Sequence, residues 1–129
     1  ITDRDPASRE ALLGLLRAVP GFEFIGIVPP EDAIRQATIR RVNVVLLDII
    51  KPHEASVQAC RSLRALSPAP IVIALTTIAD PDEEKALLNA GAVGYLLKEV
   101  HFEKLIHAIH QIIARERSIL DHSLSARQP

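Results

Sequence analysis

A short apolar run that ends in a carboxylate, residues 43–48, constrains the fold of this chain more than any other feature. Four consecutive apolar residues precede Asp48. A run of this length and character is typical of a strand buried on both faces, in a parallel sheet covered by helices on either side. Ligands of such sheets bind just beyond the carboxyl ends of the strands. Asp48 therefore lies where a functional group is expected, unless it only caps the loop that follows.

Strand-like runs alternate with amphipathic helical patterns along the rest of the chain. The predicted strands cover residues 1–3, 22–28, 43–48, 71–75 and 93–97. A helical pattern follows each of them, and the last one covers about residues 102–115. Short connections and the right-handed crossover rule then predict an α/β fold, with a doubly wound five-stranded parallel sheet and helices on both faces.

Length, charge and cysteine content narrow the class of protein. A chain of 129 residues is expected to form one domain with a sizeable core, and a net charge of −1 indicates no direct nucleic-acid partner. The single cysteine, Cys60, lies in an apolar helical stripe, so we interpret it as a core residue in a reducing compartment. No apolar run approaches the roughly 20 residues that a membrane span requires, so we expect a cytoplasmic domain without a membrane partner.

Functional groups stand at the ends of four predicted strands. Asp3, Asp48 and Lys98 end the first, third and fifth strands, and Thr76 ends the fourth. In a doubly wound sheet these ends meet at one crevice. A pair of carboxylates can hold a hard cation such as Mg²⁺, while a lysine adds a fixed positive charge beside a phosphoryl group. The pattern indicates phosphoryl transfer onto Asp48 itself.

The ordered set of motifs resembles the receiver domain of two-component response regulators, most of all the NarL/FixJ (LuxR-type) subgroup. The matching motifs are Asp3-x-Asp5-Pro6, Val45-Leu46-Leu47-Asp48 with Pro52 shortly after it, Leu75-Thr76, and Ala90-Gly91-Ala92-x-Gly94-Tyr95-Leu96-Leu97-Lys98. The resemblance covers nearly the whole chain. It implies a flavodoxin-like fold with strand order 2-1-3-4-5.

The resemblance also implies roles for particular residues. Asp48 would be the phosphoacceptor and Lys98 the phosphate-binding lysine, while Thr76 and Tyr95 would form the switch pair. The implied ligands of Mg²⁺ are Asp3, Asp48 and the backbone carbonyl of Ile50.

The partners implied by the family are a histidine kinase as phosphodonor and a second copy of the chain. The usual output of the subgroup is a helix-turn-helix domain that binds DNA and regulates transcription, and DNA would be contacted only through such a domain. We interpret residues 1–117 as the receiver domain and residues 118–129 as the start of the linker to the output domain. Since the chain lacks methionine and its first strand is short, we expect further apolar residues before Ile1.

One departure from the family pattern leaves a second function open. The family has another acid after Asp3, and this chain has Arg4, a fixed cation where Mg²⁺ should be attracted. The alternative to a phosphorylation-gated switch is therefore a phosphorylation-independent module for dimerisation or protein docking. An enzyme of flavodoxin-like fold is disfavoured, because the first strand is not followed by the glycine-rich phosphate loop it would need.

Overall fold

The computed structural model describes Glu10, Gly14 and residues 32–40, 42–49, 52–98 and 102–127. The strands predicted at residues 1–3 and 22–28 lie outside these ranges. The described helices are α1 (Ala33–Arg40), α2 (Glu54–Arg64), α3 (Pro81–Asn89) and α4 (Phe102–Arg127), and the described strands are β1 (Val44–Asp48), β2 (Ile71–Thr76) and β3 (Gly94–Leu97).

The three described strands form a parallel sheet in the order β1-β2-β3. Asp48 lies opposite Leu75, and Thr76 lies opposite Leu97, so the strands end at a common edge. The prediction of an α/β fold with a parallel sheet is confirmed. The described order agrees with the 3-4-5 part of the expected topology, and the places of the first two strands stay predictions.

Both faces of the sheet are covered by apolar layers. Successive side chains of a strand point to opposite faces, and β1 accordingly contributes Leu47 to one layer and Leu46 to the other. The first layer lies against α2 and α3 and includes Cys60, while the second lies against α4 and includes Ile109. The strand that the apolar run predicted is therefore buried on both faces.

Cys60 is a core residue, as its position in the apolar stripe predicted. Its thiol is fully buried and contacts the carbonyl oxygen of Ala90 at 3.7 Å. Burial raises the pKa of the Cys60 thiol, although the nearby Arg64 acts in the opposite direction. Desolvation thus disfavours the reactive thiolate, and Cys60 contributes to packing.

The two ends of α3 follow directly from local sequence. Asp80 is the N-cap, and its carboxylate accepts the backbone N–H of Asp82 at 2.9 Å, while Pro81 occupies the first helical position. At the other end Gly91 has a φ of 108°. The backbone N–H groups of Gly91 and Ala92 donate to the carbonyls of Leu88 and Leu87, as in a Schellman motif. Asp80-Pro81 and Gly91 are ordinary sequence signals for the start and the end of a helix, and both ends of α3 agree with them.

Replacing Gly91 with alanine is expected to lower the free energy of unfolding by about 1–2 kcal/mol, because a side chain rarely adopts this backbone conformation. A Cβ at this position would also lie 2.8 Å from Cγ of Arg64. Urea denaturation measures the effect. Gly14→Ala is the control, since Gly14 is helical and a Cβ there meets nothing within 4 Å. Equal stability of Gly91→Ala and wild type would contradict this account.

Helix α4 is longer than the sequence pattern predicted. The predicted end near Arg115 is wrong, because the helix has 26 residues and continues to Arg127. The polar character of residues 118–129 predicts a linker, but residues 116–127 contain neither proline nor glycine and include several good helix formers. The division of the chain at residue 117 stays a prediction. No helix in the described ranges is long and apolar enough to cross a membrane.

Candidate functional site

Asp48 ends β1 at the carboxyl edge of the sheet. Its side chain is 12% exposed, and the next residue continues the ladder by donating its N–H to the carbonyl of Leu75 at 2.8 Å. The carboxylate thus lies with little exposure at the carboxyl edge of an apolar sheet. A carboxylate in such surroundings needs hydrogen bonds or an opposite charge.

Lys98 supplies that opposite charge from the other side of β2. Its backbone N–H donates to the carbonyl of Thr76 at 2.7 Å, which extends the pairing of β2 and β3 by one residue. Its ammonium group then forms an ion pair with Oδ1 of Asp48, and its side chain is only 8% exposed. The ends of β1 and β3 are therefore joined by a nearly buried ion pair that passes over the end of β2.

Lys98→Met is expected to lower the free energy of unfolding by about 3 kcal/mol, because it leaves a nearly buried carboxylate without its cation. The double variant Asp48→Asn/Lys98→Met should be more stable than the sum of the two single effects by about 1 kcal/mol or more. Urea denaturation of the four proteins gives this coupling energy. Strictly additive effects would show that the ion pair contributes nothing.

Thr76 and Tyr95 lie beside this pair, toward the start of α3. The hydroxyl of Thr76 is buried and donates to the carbonyl of Ile78 at 3.0 Å. The phenol of Tyr95 donates to Oε1 of Glu83 at 2.6 Å and accepts the backbone N–H of Asp80 at 3.2 Å. The structure thus brings the predicted switch residues to neighbouring positions and attaches Tyr95 to the first turn of α3.

The surroundings of Tyr95 raise the pKa of its phenol. Burial is the main cause and the hydrogen bond to Glu83 is the second, while the Asp80 N–H and the Thr76 hydroxyl act in the opposite direction. The folded protein therefore binds the phenolic proton more tightly than the unfolded chain does. The resulting stabilisation is fully present below the ordinary pKa of about 10 and is lost as pH rises through the raised value.

Tyr95→Phe is expected to be less stable than wild type at neutral pH, and the difference should shrink as pH increases above about 10. Urea midpoints of both proteins, measured from about pH 8 to about pH 11, test this. Lysines also titrate in this range, but they are common to both proteins and cancel in the difference. A difference that grows with pH would contradict the assignment of a raised pKa.

Glu83 is a site residue that the sequence interpretation missed. The acidic run that begins at Asp80 is explained as a helix start favoured by the helix dipole, and that explanation requires no buried acid. A signal was present, because Glu83 precedes the buried Leu87 by four residues and so shares its face of α3. Glu83 is in fact completely buried.

The structure describes part of the predicted site, and the residues of that part lie close together. Asp48, Thr76 and Lys98 meet at the carboxyl edge, and Tyr95 lies on β3, three residues before Lys98. The other predicted site residues, namely Asp3, Arg4 and Ile50, lie outside the described residues.

Comparison with known families identifies the family of this chain. A family model described as "Response regulator receiver domain" matches residues 1–110. The chain therefore belongs to the family of response regulator receiver domains, as its motifs predicted.

Curated relatives are full-length regulators of about twice this length. Response regulator GacA of Pseudomonas aeruginosa is 28% identical over 120 residues, which cover 92% of this chain and 56% of that protein. Transcriptional regulatory protein MalR of Bacillus subtilis is 28% identical over 123 residues, which cover 95% of this chain and 52% of that protein. The chain spans about half the length of these relatives.

Solved structures share the fold. A response regulator from Thermotoga maritima has a TM-score of 0.73 and 26% identity, covering 88% of this chain and 93% of that one. A LuxR-family two-component response regulator from Aurantimonas sp. SI85-9A1 has a TM-score of 0.77 and 24% identity, covering 88% and 81%. The expected receiver fold is thus confirmed.

Proposed function

We propose that this receiver domain accepts a phosphoryl group on Asp48 and thereby controls an output domain that regulates transcription. The observation that carries this proposal is the ion pair between Lys98 and Asp48 at the carboxyl edge of the sheet. A lysine and a carboxylate held together with little exposure provide both a nucleophile and a positive charge for an incoming phosphoryl group. A domain of this kind is the recipient of the phosphoryl group and not an enzyme with its own substrate.

The chemistry follows from the positions of three side chains. An Asp48 oxygen forms a bond to phosphorus while the bond between phosphorus and its donor breaks, which leaves an acyl phosphate. The Lys98 ammonium then neutralises charge on the phosphoryl oxygens, and the Thr76 hydroxyl donates a hydrogen bond to one of them. We infer from the family that the donor is a phosphohistidine of a cognate histidine kinase.

Mg²⁺ is the cofactor that this reaction calls for, since receiver domains generally bind it at the phosphorylation site. The Asp48 carboxylate is the kind of oxygen ligand that Mg²⁺ prefers. Within the described ranges no three His, Cys, Asp or Glu side chains come together, so the rest of the ligand set rests on Asp3 and the carbonyl of Ile50. Bound Mg²⁺ would add positive charge beside the phosphoryl group.

Arg4 is expected to weaken this metal site, because its guanidinium stays charged and takes the place of a second acid. Arg4→Asp should therefore bind Mg²⁺ more tightly than wild type and should be phosphorylated faster. Calorimetric titration of Mg²⁺ into both proteins measures the difference. Equally tight binding by the two proteins would show that Arg4 does not oppose the metal.

Phosphorylation itself is tested by incubating the protein with acetyl phosphate and Mg²⁺ and recording its intact mass. We expect a gain of one phosphoryl group in wild type and none in Asp48→Asn. Asp82→Asn is a matched control, because Asp82 is an exposed acid that is not among the predicted site residues. Wild type that stays unmodified while Arg4→Asp is modified would favour the alternative, a docking module that works without phosphorylation.

The output proposed for the intact protein is a DNA-binding helix-turn-helix domain, reached through residues 118–129. Relatives that are named response regulators and transcriptional regulators support this proposal.

We further propose a cytoplasmic location and a weak or phosphorylation-dependent homodimer through the first predicted helix and α4. Analytical ultracentrifugation with and without acetyl phosphate tests the dimer, and a monomer in both conditions at high concentration would refute it.

A further inference from the structure

Glu83 differs from the acids beside it. The first turn of α3 carries Asp82, Glu83 and Glu84, and only Glu83 is turned into the protein, where it is completely buried. Burying a carboxylate is unfavourable unless hydrogen bonds compensate for the lost water. A helix N-terminus partly offsets this cost, because its dipole favours negative charge.

One compensating contact of Glu83 is the hydrogen bond that it accepts from the phenol of Tyr95. The distance of 2.6 Å between the phenol oxygen and Oε1 of Glu83 is typical of a hydrogen bond to a charged acceptor. The same phenol accepts the backbone N–H of Asp80. Tyr95 is therefore engaged both as donor and as acceptor by the start of α3.

A short connected path joins this contact to the crevice. The Thr76 hydroxyl, one strand away from Asp48, donates to the carbonyl of Ile78 in the loop that leads to Asp80. A hydroxyl has one hydrogen, so Thr76 must leave Ile78 in order to donate to a phosphoryl group on Asp48. Loss of the Thr76–Ile78 hydrogen bond alters the loop that leads to Asp80, and the backbone N–H of Asp80 donates to the Tyr95 phenol.

We propose that Glu83 is a positioning residue that holds Tyr95 against the start of α3 and thereby opposes the phosphorylated state of the domain. The part of this proposal that concerns phosphorylation rests on the proposed function of Asp48. Coupling between two sites is reciprocal. If the hydrogen bond between Tyr95 and Glu83 disfavours the phosphorylated state, then phosphorylation weakens that hydrogen bond. Removing the hydrogen bond in turn favours phosphorylation.

The contact can be observed directly, because Tyr95 is the single tyrosine and the chain has no tryptophan. A carboxylate that accepts a hydrogen bond from a phenol quenches the emission of that phenol. Glu83→Gln should therefore increase the tyrosine emission and shift the alkaline absorbance titration of Tyr95 toward its ordinary pKa. Glu84→Gln is the matched control, since Glu84 is the adjacent exposed acid of the same turn. Unchanged emission and titration in Glu83→Gln would overturn the proposal.

The second measurement is the phosphorylated fraction at steady state with acetyl phosphate and Mg²⁺, read by intact mass. Replacing a charged acceptor with a neutral one should raise the ratio of phosphorylated to unphosphorylated protein about fivefold. Glu84→Gln should leave this ratio unchanged, and phosphorylation of wild type should increase its tyrosine emission. Tyr95→Phe removes the same hydrogen bond from the other partner, and a similar rise in that variant supports the proposal even if Glu83→Gln does not fold.

The two measurements separate the possible failures. A changed tyrosine spectrum without a change in the phosphorylated ratio shows that Glu83 has only a structural role, which overturns the proposal. A wild type that takes up no phosphoryl group under any condition overturns the proposed function and the coupling built on it. In that case the spectra of Glu83→Gln and Glu84→Gln still decide whether Glu83 holds Tyr95.

Discussion

Strand β2 is buried along nearly its whole length, so its peptide groups must find their hydrogen-bond partners in the neighbouring strands. β1 satisfies one side and β3 the other, both in parallel register. Parallel pairing leaves all three carboxyl ends at the same edge. The meeting of Asp48, Thr76 and Lys98 is therefore a consequence of how a buried strand satisfies its backbone.

Two charged contacts lie on either side of the end of β2, and each is built in surroundings where water is scarce. Lys98 forms an ion pair with Asp48 across the end of β2, while the Tyr95 phenol donates a hydrogen bond to Glu83 at the start of α3. Low exposure strengthens both contacts and also makes the loss of either partner costly. The carbonyl of Thr76 accepts the backbone N–H of Lys98, which forms the first contact. The hydroxyl of Thr76 donates to Ile78, in the loop that leads to the start of α3 and so to the second contact. Thr76 therefore lies between the two contacts and is hydrogen-bonded on the side of each.

Much of this arrangement could be predicted from the sequence because the signals are local. Runs of apolar residues ending in Asp48 and in Thr76 define β1 and β2, and Asp80 and Gly91 define the ends of α3 through capping and a left-handed turn. The position of Lys98 follows from the rule that parallel strands end at one edge.

Features that depend on tertiary contacts or on competing local preferences were harder to predict. The spacing of Glu83 from Leu87 indicates the face of α3 on which Glu83 lies, but its hydrogen bond with the Tyr95 phenol is a tertiary contact that no local pattern reports. Polarity predicts an end of α4 near Arg115, but because no helix breaker follows that residue the helix continues to Arg127. The roles of Asp3, Arg4 and Ile50 remain predictions, as these residues lie outside the described ranges.

Because α4 is a single uninterrupted helix, a tilt of its first part displaces its far end. Ile109 and Ile113 fix its first part to the sheet, and the helix then runs for about 20 Å beyond Ile113 at 1.5 Å per residue. A tilt of about 5° at the sheet moves the far end by about 2 Å. A small adjustment of the packing near the sheet would therefore displace Arg127 much farther than it displaces Ile113.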